Sequence, residues 1–168
     1  MKRLLSLAGA FLVAMLLSGG ALAVDVVAVR IADDADGDAF QLELEGYVRE
    51  TLPGANMSAA YLSLRNNGET DLQLQSVEVP DLEKAIADLH TTINENGVSR
   101  MRPLAQLAIP AGEVVTMTPG GLHLMLRGVQ LRVGEALPLR LRFASGITLE
   151  VEVPVRGLKA AEAHHHHG

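Results

Sequence analysis

Hydrophobic and polar residues alternate along most of this chain with a period of two. LQLQSVEV (72–79) and ITLEVEVPV (147–155) keep the alternation cleanly, and AAYLSLRN (59–66) and ALPLRLRFA (136–144) repeat it. That period turns one face of a strand to a core and the other to water. VDVVAVRIA (24–32) and FQLELEGYVRE (40–50) flank DDADGD, in which Asp36-Gly37 suits a hairpin turn. SRMRPLAQLAI (99–109) and EVVTMT (113–118) are separated by Pro110-Ala111-Gly112, and LHLMLRGV (122–129) follows. LEKAIADL (82–89), after Pro80-Asp81, fits either a short helix or a loop leading into a strand; periodicity does not decide between them. Many short strands with turn signals about every eight to twelve residues predict an all-β antiparallel sandwich or barrel without a long helix.

The first 23 residues break the pattern. Lys2 and Arg3 precede an apolar run from Leu4 to Leu17, and Ala21-Leu22-Ala23 has the small-residue form of a cleavage site. This is read as a secretory signal cleaved near Ala23, too short an apolar run for a membrane span. The expected product is exported to the periplasm, with no stable membrane insertion after cleavage. No cysteine follows the apolar run, so none is offered there for lipid attachment.

Cleavage leaves 145 of the 168 residues, enough for one domain with a sizeable core. It also removes two positive charges and no negative one, which takes the formal net charge from −6 to −8. An acidic chain without a basic stripe is not a nucleic-acid binder. The absence of cysteine means that the fold uses no disulfide and that any soft-metal site is built without thiolate.

The candidate chemistry lies in PGGLHLML (119–126). On a strand, Leu122, Leu124 and Leu126 point to one side, while His123 and Met125 point to the other. Outside the C-terminal tail the only other histidine is His90, and beyond the signal the methionines are Met57, Met101, Met117 and Met125. His90, Met101, His123 and Met125 form the pattern H-x10-M-x21-H-x-M. Imidazole and thioether are neutral donors, and the soft thioether favours Cu(I) over zinc or hard cations. A blue-copper electron-transfer site needs a cysteine thiolate, which this chain lacks.

That pattern resembles the metal-binding motif of the periplasmic copper chaperones called PCu(A)C. The likeness extends through YVRETLPGANMSAAYLSLRNNG, through NGVSRMRPLAQLAIPAGEVVTMTPGGLHLMLRGV and through GEALPLRLRFASGITLEVEVPV, covering about residues 41–155. It implies a cupredoxin-like Greek-key β-barrel or sandwich that carries Cu(I) on His90, Met101, His123 and Met125. It also implies delivery of the ion towards the CuA centre of cytochrome c oxidase, the CuA-bearing subunit or another periplasmic copper protein being the partner. The alternative is a copper-sequestering protein for metal tolerance, without a dedicated recipient. Three departures stand out: Tyr47 where that family usually has tryptophan, Ser99 where a further methionine often precedes the R-M, and an added segment over 24–40.

The remaining features receive plainer readings. Met57 and Met117 are expected to pack in the core or at its rim. Arg100 and Arg102 flank Met101 and would point away from it, into solvent. DDADGD lacks the ligand spacing of an EF-hand loop and is read as a turn. No Ser-His-Asp or Cys-His set can be assembled, so enzyme activity is not expected. The division predicted is a signal over 1–23, an extension over 24–40, a copper-binding domain over 41–156 and a His-rich tail over 157–168, in a monomer. His164, His165, His166 and His167 would give the tail a second metal site, suited to Cu(II).

Overall fold

The computed structural model describes residues 26–33, 39–80 and 82–158. The expected signal over 1–23, the turn predicted at Asp36-Gly37 and the four tail histidines lie outside the described residues. Within them the regular elements are eleven strands: β1 (Val26–Asp33), β2 (Ala39–Arg49), β3 (Met57–Asn66), β4 (Leu72–Glu78), β5 (Ile86–Glu95), β6 (Val98–Pro103), β7 (Leu107–Ile109), β8 (Val114–Thr116), β9 (His123–Arg127), β10 (Ala136–Phe143) and β11 (Thr148–Arg156). The period-two reading thus becomes an all-β fold. On β11, Leu149, Val151, Val153 and Val155 are buried while Glu150 and Glu152 are exposed. On β10 the inward set is Leu137, Leu139, Leu141 and Phe143.

Pairing runs β2–β11–β10–β4–β5–β9–β3, and β3 pairs with β2 again, so seven strands close into a barrel. Closure leaves none of the seven with an unpaired edge along its whole length, which the alternation alone could not specify. The β11–β2 contact is parallel and the other ladders are antiparallel. β1 pairs antiparallel with β2, with Asp33 opposite Ala39.

Residues 82–89 take the second of their two readings. Leu82 to Ala85 form a turn in which the Ala85 amide donates to the Leu82 carbonyl (2.8 Å), and β5 begins at Ile86. Leu89 is buried opposite Leu124, and the partly buried Ala87 lies opposite Leu126, so this segment contributes a strand face to the core. The run 99–109 is divided into β6 and β7, with the Leu104 amide bonded to the Leu89 carbonyl (2.8 Å) between them.

Two polar details fix the frame around the site. β5 turns into β6 at Asn96 and Gly97, whose φ angles are 54° and 80°. Both are left-handed, the conformation of a two-residue hairpin turn for which Asn-Gly is the preferred pair. Buried Asn66, at the end of β3, donates through Nδ2 to the Thr70 and Ile109 carbonyls (2.8 and 3.0 Å) and accepts from the Gly68 amide (3.0 Å). A fully satisfied buried amide of this kind ties β3 to β7 and specifies how the chain leaves the strand.

Candidate metal centre

Antiparallel register decides which side chains share a face, because residues directly opposite one another project to the same side. β9 lies between β5 and β3. Leu124 and Leu126 are fully buried in the core, so His123 and Met125 belong to the outer face. His90 is opposite His123, and Asp88 is opposite Met125. Two residues beyond His90, Thr92 is opposite Met101 on β6. His90, Met101, His123 and Met125 therefore project from the same outer face of β6–β5–β9. The sequence separates His90 from His123 by 33 positions, yet their rings stack with centroids 6.0 Å apart.

The same face continues onto β3. Ala59 is opposite Met125, and Tyr61, two residues on, has its ring 6.5 Å from that of His123. Tyr47 on β2 is opposite Tyr61 and packs its ring 5.4 Å away. The guanidinium carbon of Arg49 lies 5.6 Å over the Tyr61 ring and that of Arg156 lies 5.2 Å over Tyr47. This layered aromatic and cationic patch walls one side of the site. Burial pushes the Tyr47 phenol above its ordinary pKa, so the ring enters the patch neutral.

A cavity of about 400 Å³ opens on this face, lined by Arg49, Met57, Tyr61, Met101, His123 and Met125 among others. His90 adjoins it through His123. Burial of the donors is graded. His123 is nearly buried, Met125 and His90 are partly buried, and Met101, on the outlying β6, is 47% exposed.

Each imidazole is prepared in a different way. His123 Nδ1 lies 3.0 Å from the Gly121 carbonyl oxygen. A carbonyl only accepts, so Nδ1 carries the proton and the Nε2 lone pair is left to ligate. Gly121 sits in the turn after Pro119, where its amide donates to the Thr118 carbonyl (3.0 Å) and its carbonyl also takes the Thr92 amide (3.2 Å). His90 Nδ1 is buried without a hydrogen-bond partner among the described residues. An orphaned nitrogen of this kind costs about 1–3 kcal/mol. A metal ion bound at that atom would remove the cost, which is how the donor set fits a soft ion.

The carboxylates nearest the site have partners of their own: Glu50, which lines the cavity, accepts the Leu158 amide through Oε1 (3.2 Å). Among the described residues, no group of three or more His, Cys, Asp or Glu side chains is placed to hold a metal ion. Asp88, on the donor face beside His90, is engaged by Arg127 (Nη2 to Oδ2, 2.6 Å). Arg100 and Arg102 project opposite to Met101 and pair with Glu95 at 3.3 and 3.1 Å, on the solvated side.

A sequence profile of the family described as "Putative lipoprotein LpqE-like" matches residues 44–155, a span that holds all four donors. The chain belongs to this family. The chain is similar to a curated protein, "Putative lipoprotein Lxx21020" of Leifsonia xyli subsp. xyli (strain CTCB07), at 32% identity over 111 residues. The match covers 64% of this chain and 66% of that protein, a little under two thirds of its length. Solved structures with the LpqE-like chain's fold include the copper-bound PCuAC domain from PmoF2. Its TM-score is 0.58, with 19% identity over 76% of this chain and 96% of that one. The solution structure of CuI-DR1885 from Deinococcus radiodurans is 30% identical, with a TM-score of 0.54, over 67% of this chain and 76% of that one. The fold of this LpqE-like protein is accordingly the cupredoxin-like barrel of the PCuAC domains.

Three groups around the cavity escaped the sequence reading. Met117 is buried, as core packing predicts, but Met57 is 52% exposed and lines the cavity. Its signal was the period of two: Met57, Ala59 and Tyr61 lie on one face of β3. The Gly121 carbonyl had no side-chain signal at all. Leu158, just beyond β11, also lines the cavity, and its amide donates to Glu50 Oε1 (3.2 Å).

Proposed function

We propose that this protein is an exported Cu(I) metallochaperone, working in the periplasm, that carries copper on His90, Met101, His123 and Met125 towards the CuA centre of cytochrome c oxidase. The observation that carries the reading is the common outer face of the two imidazoles and two thioethers beside one cavity. Similarity at 30% identity to a protein solved as CuI-DR1885 supports it. Export is supported by the N-terminal apolar segment and by relatives described as lipoproteins. None of these 168 residues is a cysteine, so the proposal involves no cysteine-linked lipid.

Copper is cargo here, not a catalyst, and it leaves in the oxidation state in which it arrived. Four neutral donors leave the bound ion its single positive charge and match the softness of Cu(I). Thioethers cannot oxidise to a disulfide, so the site survives an oxidising compartment that would disarm a thiol pair. Their vulnerability is oxidation to sulfoxide. His123, fixed by Gly121, supplies the most rigid donor, and Met101 on the exposed hairpin supplies the one a recipient reaches first.

Anaerobic titration of the tail-less protein with Cu(I) tests the ligand set. One site is expected, with affinity lowered by at least about tenfold in His123→Ala and in Met101→Ala, as each removes a bond to the ion. Parental binding in both variants would refute it. Incubating the loaded protein with an apo CuA domain then separates delivery from sequestration: copper appears in the CuA domain only if this protein is a donor.

A further inference from the structure

Met57 has no part in the four-donor set, yet it stands with it. It opens β3 opposite Arg127, two positions before Ala59, which is opposite Met125. Its side chain consequently projects from the donor face. It lines the same cavity as Met101, His123 and Met125. Packing does not account for it, because Met57 is 52% exposed while Met117, the methionine used for core packing, is 3% exposed. Single exposed apolar residues are common and need no explanation by themselves. A flexible thioether sharing a cavity with two other thioethers and an imidazole is a different circumstance, since its sulfur is a soft donor within a soft-donor site.

We infer that Met57 is a transfer donor, a third thioether that takes Cu(I) transiently as the ion enters or leaves; this rests on the copper reading above. In the step, a bond forms between the Met57 sulfur and copper while a bond from copper to Met101 or Met125 breaks. One neutral thioether replaces another, copper stays Cu(I), and no proton or electron moves. A detour of this kind lowers the barrier in both directions, so it changes the rates of loading and release and leaves the equilibrium nearly untouched.

Met57→Leu removes the sulfur and keeps the size and apolarity of the side chain, a swap an exposed strand position tolerates. The test measures Cu(I) affinity by competition, and then the rate at which the loaded protein yields copper to excess bicinchoninate under anaerobic stopped flow. The expected result is affinity within about threefold of the parent and transfer slower by about tenfold or more, a rate effect without an affinity effect. Met57→Leu that transfers at the parental rate, while the parent binds Cu(I), overturns this inference alone. So does a loss of affinity as large as that of Met101→Ala, which would make Met57 a resident ligand. A parent that takes up no Cu(I) overturns the copper reading and this inference with it.

Discussion

His123 joins three kinds of constraint at one residue. Its position on β9 gives it the outer face, Tyr61 covers it, and the Gly121 carbonyl holds its Nδ1 proton. An imidazole so held can offer only Nε2, and it can ligate only while that nitrogen is unprotonated. His90, with Nδ1 buried and unpartnered, faces the same requirement. Cu(I) affinity is therefore expected to be lower in acid than in alkaline solution, because protons compete with the ion for the donor nitrogens. The thioethers do not titrate, so the decline reports the histidines alone. Competition titrations from alkaline to acid solution check it, and a flat affinity would remove both imidazoles from the site. Met101 and Met125 were legible as candidate donors because the motif spacing singles them out; the place of Met57 in the cavity was not, since no local pattern marks a methionine that meets its neighbours only through strand pairing.

At the level of elements, the site depends on β2, β3, β9 and β5 lying in register. At Gly46 the β2–β3 pairing leaves no room for a side chain: it is opposite Leu62, and a Cβ there would collide with the Tyr61 carbonyl oxygen and come within 2.8 Å of Leu62 Cδ2. Both obstacles belong to the strand that presents Tyr61 to His123, and one of them is backbone, which cannot swing aside. Gly46→Ala is expected to cost about 1–3 kcal/mol by overpacking. Chemical denaturation should detect it as a lower midpoint, while a midpoint equal to the parent would mean that the two strands separate without penalty. The hairpin that carries Met101 shows how much of an element can be read locally. Its Asn96-Gly97 turn is a strong signal in the sequence, and the structure uses both residues at positive φ. Residues 82–89 show the opposite case. Their apolar positions satisfy helical and strand spacing alike, and only burial of Leu89 against β9 selects the strand.

The whole molecule is a ring whose closure brings distant segments together. β4 meets β5 through the single register pair Val77 and Ala87, whereas β10 grips β4 through four. Across that β10–β4 seam Arg142 binds Glu78 at both ends, Nε to Oε1 at 2.7 Å and Nη2 to Oε2 at 3.1 Å, with Arg140 reaching Glu78 and Glu150. The hydrogen bond from Arg142 holds the Glu78 carboxyl below its ordinary pKa of 4.5. A carboxylate depressed in the folded state adds stability that is present above its unfolded pKa and is lost as the pH falls below it. Stability is thus expected to decline below about pH 4.5 in part through this seam, and Glu78→Gln to flatten that part of the acid limb. The pair is solvent-exposed, so the change will be small and will shrink further in salt. Acid unfolding followed by circular dichroism, with parent and variant side by side, checks it; identical acid limbs would show that the seam carries no pH-dependent stability.

The sequence by itself determined the strands' inward and outward faces, since alternation is a local property of side chains on an extended backbone. It also set the chemistry of the candidate donors: two imidazoles and two thioethers at fixed spacing, in a chain without a thiolate. What the tertiary structure decided is everything that depends on which strands are neighbours. The stacking of His90 on His123, the arrival of Met101 from an outlying hairpin, the entry of Met57 into the cavity and the carbonyl that orients His123 all follow from strand register and from a turn, between residues up to 70 positions apart. Pairing of that kind is settled by the closing of the barrel and the burial of one common core, which no short window of sequence contains.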